Sequence, residues 1–370
     1  MKTKKILYVA TTDSHIKAFH IPYLKMMHEK GWEVHVATNG NEKIPYCDKK
    51  HAISMSRSPF KINNAKAIRQ MRKIVKEEKY DIIHCHTPIG SAITRLAVKQ
   101  SRKHGTKVVY TAHGFHFYKG APIVNWLIFY PIEKYLAKYT DALITINQDD
   151  FNLAKTKLSK RCKQITYTPG VGINTKKFAI IVSEEEKRKI KEELSLKSTD
   201  IVLLCIARLD KNKNQAFLID VMNKIQNNDI HLLLAGPDEL GGYYQKLAEQ
   251  KELINIHFLG ERNDVPKLLS ISDILVTASK REGLPINIVE ALAAGKPVVS
   301  LGCRGTNDLI KNGVNGYIAN DQSDFIGKIN TILNDEKLRR KIKINDKKEC
   351  KKYSIDKITQ QVYNIYDELA

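Results

Sequence analysis

"DILVTASKREGLPINIVEALAAGKPVVSL" (Asp273–Leu301) carries a strand, a turn, a helix and a second strand in one run. The first strand ends near Ser279. Pro285 suits the first helical position, where its missing N–H is not needed. Ile286 to Ala294 has helical composition, Gly295 stops it, and "PVVSL" resumes as a strand. Both strands are nearly continuous apolar runs, as in a parallel sheet covered on both faces. Two glutamates stand eight positions apart, Glu282 in the turn and Glu290 on the expected third turn of the helix. The helix start offers N–H groups at Gly283, Leu284 and Ile286 and the positive end of a dipole, an anion site. A carboxylate at Glu290 can accept two hydrogen bonds from vicinal hydroxyls, as a ribose offers. Glu282 stands at the mouth, where another hydroxylated ring fits. For either residue alone, a helix-stabilising or solvated glutamate is an equally good account.

The same strand type recurs along the chain. The first half has "KILYVA", "EVHVAT", "DIIHCH", "KVVYTA" and "DALITI", and the second has "DIVLLCIA", "IHLLLAG", "NIHFLG", "DILVTAS" and "PVVSL". They alternate with helical lengths, and the series restarts after residue 170. This predicts two doubly wound, Rossmann-like α/β domains, 1–170 and 171–353, facing each other across a cleft at the carboxyl ends of their strands. "YTPGVGINTKKF" (167–178) marks the boundary. "SEEEKRKIKEEL" starts the second domain with a solvated helix, and "EKLRRKIKINDKKECKK" (336–352) is a basic helical segment. In 354–370, Ile355, Ile358, Val362 and Ile365 recur at helical spacing, so this last helix can pack back on either domain.

Composition narrows the function. Of 370 residues, 42% are hydrophobic and 27% charged, a globular profile with material for a core. No apolar run is long enough to span a bilayer. The N-terminal run Ile6–Ala10 is too short for a signal peptide, so a cytoplasmic protein is expected. The six cysteines are scattered without a C-x-x-C pair and fit reduced thiols better than a zinc or disulfide framework. A formal net charge of +21 points to an anionic partner, whether nucleic acid, lipid headgroup or phosphorylated substrate, or to a lysine-rich solvated surface.

Two further motifs follow strands. "ARLDKNKN" gathers Arg208, Lys211 and Lys213; an arginine forks onto a phosphate and a lysine adds a point charge. "YTAHGFHFYKGAP" (110–122) places His113 just past a strand, where it can donate a hydrogen bond or shuttle a proton. Aromatics continue from Phe115 through Tyr135 beside lysines, which suits a lipid headgroup layer, although Trp126 and Phe129 fit helix core. The first βα turn lacks G-x-G-x-x-G, and the chain has no P-loop, no D-x-D pair and no nucleophile elbow.

Together these stretches resemble the retaining glycosyltransferases of family four, with the GT-B architecture. "REGLPINIVEALAAGKPVV" is similar to their E-x7-E signature. "ARLDKNKN" matches their Arg…Lys pair, and "DIIHCHTP", "TAHGF", "AGP", "FLGER" and "NGVNGYI" fall in family order. "TAHGFHFYKGAP" is similar to bacterial capsule and exopolysaccharide enzymes. The first loop, "TTDSHIKAFH", departs from the family by lacking glycine.

The resemblance implies roles. Glu290 holds the ribose of a nucleotide sugar, most simply a UDP-sugar, and Glu282 meets the donor sugar. Arg208 and Lys213 neutralise the diphosphate, helped by the backbone at Gly283, Leu284 and Pro285. Gly260 to Arg262 meets the base. His113 joins Glu282, Arg208 and Lys213 as catalytic, and His15, His20, His116 and Tyr118 are acceptor candidates. No metal and no cofactor is needed, because fixed cations stabilise the leaving charge. The implied partners are a nucleotide-sugar donor carrying a hexose or N-acetylhexosamine, a polyprenyl-diphosphate-linked sugar acceptor and the anionic inner face of the cell membrane. The basic stretch 61–79, with Ile62, Ile68 and Val75, supports the membrane contact. A UDP-N-acetylglucosamine 2-epimerase shares the architecture and needs no acceptor. A nucleic-acid-binding protein would explain the charge, but no binding module is recognisable, so nucleic acid is not an expected partner.

Overall fold

Apolar runs become parallel strands because each must bury both faces, and helices cover them. The computed structural model describes residues 3–56, 58 and 61–369, with side chains at all of these except 345–348. The chain divides into two units, Met1–Gly172 with Ile355–Ala370, and Ile173–Ser354.

The first unit holds seven strands: β1 (Lys5–Thr12), β2 (Glu33–Asn39), β3 (Lys49–Ala52), β4 (Ile82–His86), β5 (Lys107–Ala112), β6 (Ala142–Thr145) and β7 (Gln164–Tyr167). Their order is β3-β2-β1-β4-β5-β6-β7, and every pairing is parallel. The second unit holds β8 (Ile201–Ile206), β9 (Ile230–Ala235), β10 (Ile256–Gly260), β11 (Ile274–Thr277), β12 (Val298–Leu301) and β13 (Gly316–Ala319). Their order is β10-β9-β8-β11-β12-β13, again parallel. Strand order therefore reverses at β1/β4 in one sheet and at β8/β11 in the other. At such a point successive connections leave to opposite faces and open a crevice beyond the strand ends.

All ten expected strands form. Three more do not show in the apolar pattern: β3, β7 and β13, each four residues long at a sheet edge. An edge strand needs no doubly buried side chains, and β3 ("KKHA") carries the lysines that discourage further pairing.

The helices refine the sequence reading. Asp13–Phe19 is a helix that starts directly after β1, so "TTDSHIKAFH" is not a loop. Buried Asp13 anchors it by accepting from Thr38 Oγ1, from Lys50 Nζ at 2.6 Å and from the Glu42 amide at 3.0 Å. The Ile286–Ala293 helix has Pro285 as its cap rather than its first residue, which moves Glu290 to the second turn. Ser183 caps Glu184–Glu193 through the Glu186 amide, and Glu336–Glu349 forms the basic helix of the tail. The Ile355–Leu369 helix buries Ile358, Val362, Ile365 and Tyr366 against Ile6, Tyr8 and Val109 of the first unit. Each aliphatic side chain so buried stabilises by about 1.5–3 kcal/mol.

Candidate active site

In the first unit, the crevice at β1/β4 is lined by histidines. His15 lies on the Asp13–Phe19 helix after β1, His20 caps the end of that helix, His86 ends β4, and His113 follows β5. Every one of these positions lies at a strand's carboxyl end, which is why residues far apart in sequence converge. His113 Nε2 lies 3.3 Å from His86 Nδ1. The His20 and His86 ring centroids are 3.8 Å apart, and the His15 ring meets His113 edge-on at 4.8 Å. Behind them His84 is locked between Tyr366 Oη at 2.5 Å and Thr111 Oγ1 at 2.7 Å, and Tyr366 donates onward to Tyr8.

Burial disfavours the charged form of His20, His84, His86 and His113. Desolvation, reinforced by the neighbouring imidazoles, pushes His20, His86 and His113 well below the ordinary histidine range, and burial takes His84 to about 3. At neutral pH His113 is thus a hydrogen-bonding imidazole and not an acid. Ring nitrogens of His15, His20, His86 and His113 lie within 4.8 Å of one another, and the buried Nε2 atoms of His20 and His86 have no hydrogen-bond partner among the described residues. Unprotonated imidazoles are the donors a transition metal takes, so this set could hold one.

The second unit builds its crevice from charge. The loop after β8 is shaped by Asp210, whose Oδ1 accepts from the amides of Asn212 at 2.9 Å and Lys213 at 2.8 Å. That turn aims Lys213 at the segment after β11, where Nζ meets Glu282 Oε1 at 2.5 Å. Two motifs 69 residues apart thereby become one ion pair, and both partners are largely shielded from solvent. Exposed Arg208 is flanked by Asp210 at 3.1 Å and Glu239 at 2.8 Å. Asn287 Nδ2 donates to the Ile206 carbonyl at 3.0 Å, tying the start of the Ile286–Ala293 helix to the end of β8.

Two glycines make the close approaches possible. At Gly236 (φ +155°) a Cβ would fall 2.0 Å from the Ala207 carbonyl oxygen, and at Gly305 (φ +81°) 2.3 Å from that of Gly283. The segment Gly302–Thr306 thus packs under the Gly283–Leu284 turn, and Arg304 Nε reaches the Glu282 carbonyl at 3.5 Å. Glu290 is half-buried, and desolvation raises its carboxyl to about 7 against an opposing pull from Lys177.

Most expected site residues take crevice positions. Arg208, Lys213, Glu282, Gly283, Leu284, Pro285 and Glu290 gather around β8/β11. Gly260 ends β10, with φ +62°, and accepts from the Gly236 amide at 2.8 Å; Arg262 is forked onto Asp264. His15, His20 and His113 share the other crevice. His116 and Tyr118 do not join them. The His116 ring packs on Phe129 at 4.7 Å, and the carbonyls of His116 and Tyr118 cap Asn125 and Trp126. The His116 ring thus faces the Ile123–Leu136 helix, and the backbone of both residues is tied to the start of that helix. Sequence reasoning did not single out His84, His86, Asp210, Glu239 or Arg304. The strand-end placement of "DIIHCH" was the available signal for the first two.

Comparison with known proteins agrees with this fold. The family model described as glycosyl transferase 4-like matches residues 5–147, and the one described as glycosyl transferases group 1 matches residues 186–349. EpsD of Bacillus subtilis (strain 168), a protein named as a glycosyltransferase, is 40% identical over 369 residues, 98% of this chain and 96% of its own. The UDP-Gal:alpha-D-GlcNAc-diphosphoundecaprenol alpha-1,3-galactosyltransferase of Escherichia coli is 29% identical over 84% of this chain and 81% of its own. In fold, HepE of Anabaena, solved with UDP and glucose, superposes with a TM-score of 0.80 at 20% identity, covering 99% of this chain and all of that one. The chain belongs to the group 1, family-four-like glycosyltransferases, with the GT-B fold. It is a glycosyltransferase.

Proposed function

We propose that this enzyme transfers a hexose or N-acetylhexosamine from a UDP-sugar to a lipid-linked saccharide, with retention at the anomeric carbon, in capsule or exopolysaccharide synthesis. The observation that carries the reading is the Lys213–Glu282 ion pair at the β8/β11 switch point. It sets a cation for the leaving diphosphate beside a carboxylate for sugar hydroxyls, next to a helix start. Arg208 adds a second cation, and the Gly283–Pro285 turn adds backbone dipoles. Glu290 accepts from the ribose hydroxyls, and Gly260 to Arg262 lies against the base. The acceptor oxygen attacks the anomeric carbon on the face the diphosphate leaves, and a departing phosphate oxygen takes the hydroxyl proton. His113, neutral, hydrogen-bonds reacting oxygens without adding charge, and His15 and His20 line the acceptor side. Fixed cations carry the leaving charge, so no metal enters. The lipid-linked acceptor is supported by the E. coli relative, whose name specifies a diphosphoundecaprenol substrate.

Such an acceptor sits in a bilayer, and no helix among the described residues is long and apolar enough to cross one. The Ile123–Leu136 helix instead exposes Ile123 (78%) and Leu127 (71%). Lys99 and Lys138 lie over the rings of Tyr135 and Tyr139 near its end. Apolar side chains beside lysines suit peripheral attachment to an anionic surface, each basic residue adding about 1 kcal/mol.

The test is incubation with a panel of UDP- and GDP-sugars and polyprenyl-diphosphate-linked GlcNAc. Transfer from a UDP-sugar with an axial product linkage from an axial donor is expected. Epimerised nucleotide sugar without transfer, or an inverted linkage, overturns the reading. In the companion assay, binding to anionic vesicles at low salt is expected to fall as salt rises. Equal, negligible sedimentation with anionic and neutral vesicles removes the membrane contact alone.

A further inference from the structure

The acceptor-side unit contains two hollows that the site above does not use. One lies past the carboxyl ends of β1, β2 and β3, encloses about 450 Å³, and is polar: Thr11, Thr12, Asn39, Ser54, Lys61 and Asn63 line it. The other encloses about 250 Å³ between the helices Asn63–Glu78, Pro88–Ala97 and Ile123–Leu136. Its lining is apolar, including Ile68, Ile89, Ala92, Phe117, Phe129 and Ile132. The one carboxylate in that lining, Glu133, is forked onto buried Arg95, so the wall carries no unbalanced charge.

The two hollows are neighbours across the start of the Asn63–Glu78 helix. Asn63 faces the polar hollow and its neighbour Asn64 the apolar one. Asn64 is fixed by accepting from the Ser56 amide at 3.0 Å and donating to the Ser58 carbonyl at 2.9 Å. At the other end, Ile132 both lines the apolar cavity and is half-exposed. From it the exposed side chains of Ile128 and Val124 continue at i−4 and i−8 along one face of the same helix. An apolar stripe at i, i+4 spacing therefore runs along the exposed helix surface to the cavity, and a polar hollow with a cation stands beside that cavity.

From this juxtaposition we infer that the apolar cavity is the subsite for the first isoprene units of the acceptor's polyprenyl chain, with the diphosphate in the Lys61 hollow and the saccharide leading from it, past Thr11 and its partner Thr87, into the β1/β4 crevice. The inference rests on the lipid-linked reading of the acceptor and names where that lipid goes. A flexible hydrocarbon gains by filling an apolar site, and a surface helix alone would hold it no better than the bilayer does. Specificity for chain length therefore belongs to the cavity, while attachment to the membrane belongs to the exposed helix face.

The experiment compares two acceptors with the same saccharide diphosphate, one on a long polyprenyl chain and one on a two-isoprene chain, both in the same detergent. The wild-type enzyme is expected to prefer the long chain by about tenfold or more in kcat/KM. Ala92→Phe fills the cavity from the Pro88–Ala97 helix, and Ile132→Glu charges its mouth at a half-exposed position that the fold tolerates. Both are expected to collapse the preference to within about twofold, with unfolding midpoints near wild type. Detergent partitioning of the long chain is the same for every variant, so it cannot produce that collapse. A preference that persists in both variants, or is missing from the wild type, overturns the subsite. Transfer to a water-soluble saccharide with none to either lipid acceptor removes the lipid-linked reading itself, a distinct result.

Discussion

The two crevices solve the same topological problem with opposite chemistry. At β8/β11 the polar groups are charged and paired across motifs: Lys213 with Glu282, Arg208 with Asp210 and Glu239. At β1/β4 they are imidazoles held neutral by burial. In the proposed reaction, the contrast matches the charge each half would handle. A departing diphosphate brings negative charge, and preset cations stabilise it without reorganisation. An attacking hydroxyl brings none, and a buried imidazolium there would hold its proton-bearing oxygen back from attack. Ion pairs also keep the cations aligned in the free enzyme, whereas His84 is aligned by Tyr366 and Thr111.

The largest expected effect tests the charged half. Lys213→Ala removes the proposed leaving-group cation and leaves Glu282 without its partner, so kcat should fall about 100-fold or more. Adding Glu282→Gln should deepen the loss by less than its own single effect, because the two act as a unit. Near-normal turnover in a folded Lys213→Ala protein would erase the distinction between the crevices.

An intermediate effect comes from Glu290. Its carboxyl, raised to about 7, is protonated in the free enzyme below that pH, while accepting from two ribose hydroxyls requires it ionised. Donor affinity should therefore be full above pH 7 and weaken as pH falls through it, approaching tenfold per pH unit. Glu290→Gln should bind donor more weakly and with a flat profile from pH 5 to 8. A wild-type affinity independent of pH over that range would show that desolvation does not govern this residue.

The smallest expected effect probes the neutral half. If the cations at β8/β11 carry the leaving charge, as proposed, EDTA should change the turnover rate less than about twofold. Loss of activity restored by zinc or another transition metal would mean that the four histidines work as ligands, and the crevice is then not a neutral one.

The sequence exposed the charged half well because its residues are local. Glu282 and Glu290 share one strand–turn–helix unit, and Arg208 and Lys213 share one loop, so spacing alone joined them. The neutral half is assembled from positions 15 to 113 on three strand ends, and only the parallel register brings His86 to His113. His116 and Tyr118 show the limit of reading along a strand's continuation. Once the backbone leaves β5, neighbours in sequence part company in space. The strands missed, β3, β7 and β13, lie where burial on both faces is not demanded, so no apolar run announces them.

The last helix has a consequence for biosynthesis. His84 reaches Tyr366 across 282 positions, and Ile358, Val362 and Ile365 complete the first unit's core. A ribosome delivers this chain from its start, so the seven strands emerge long before the helix that covers them. The opening unit must wait, with an apolar surface uncovered, while all of Ile173–Ser354 is translated. The second unit has no such dependence and can close first. For this chain the order of synthesis and the order of completion are reversed, and the unfinished first unit is the species a chaperone would meet.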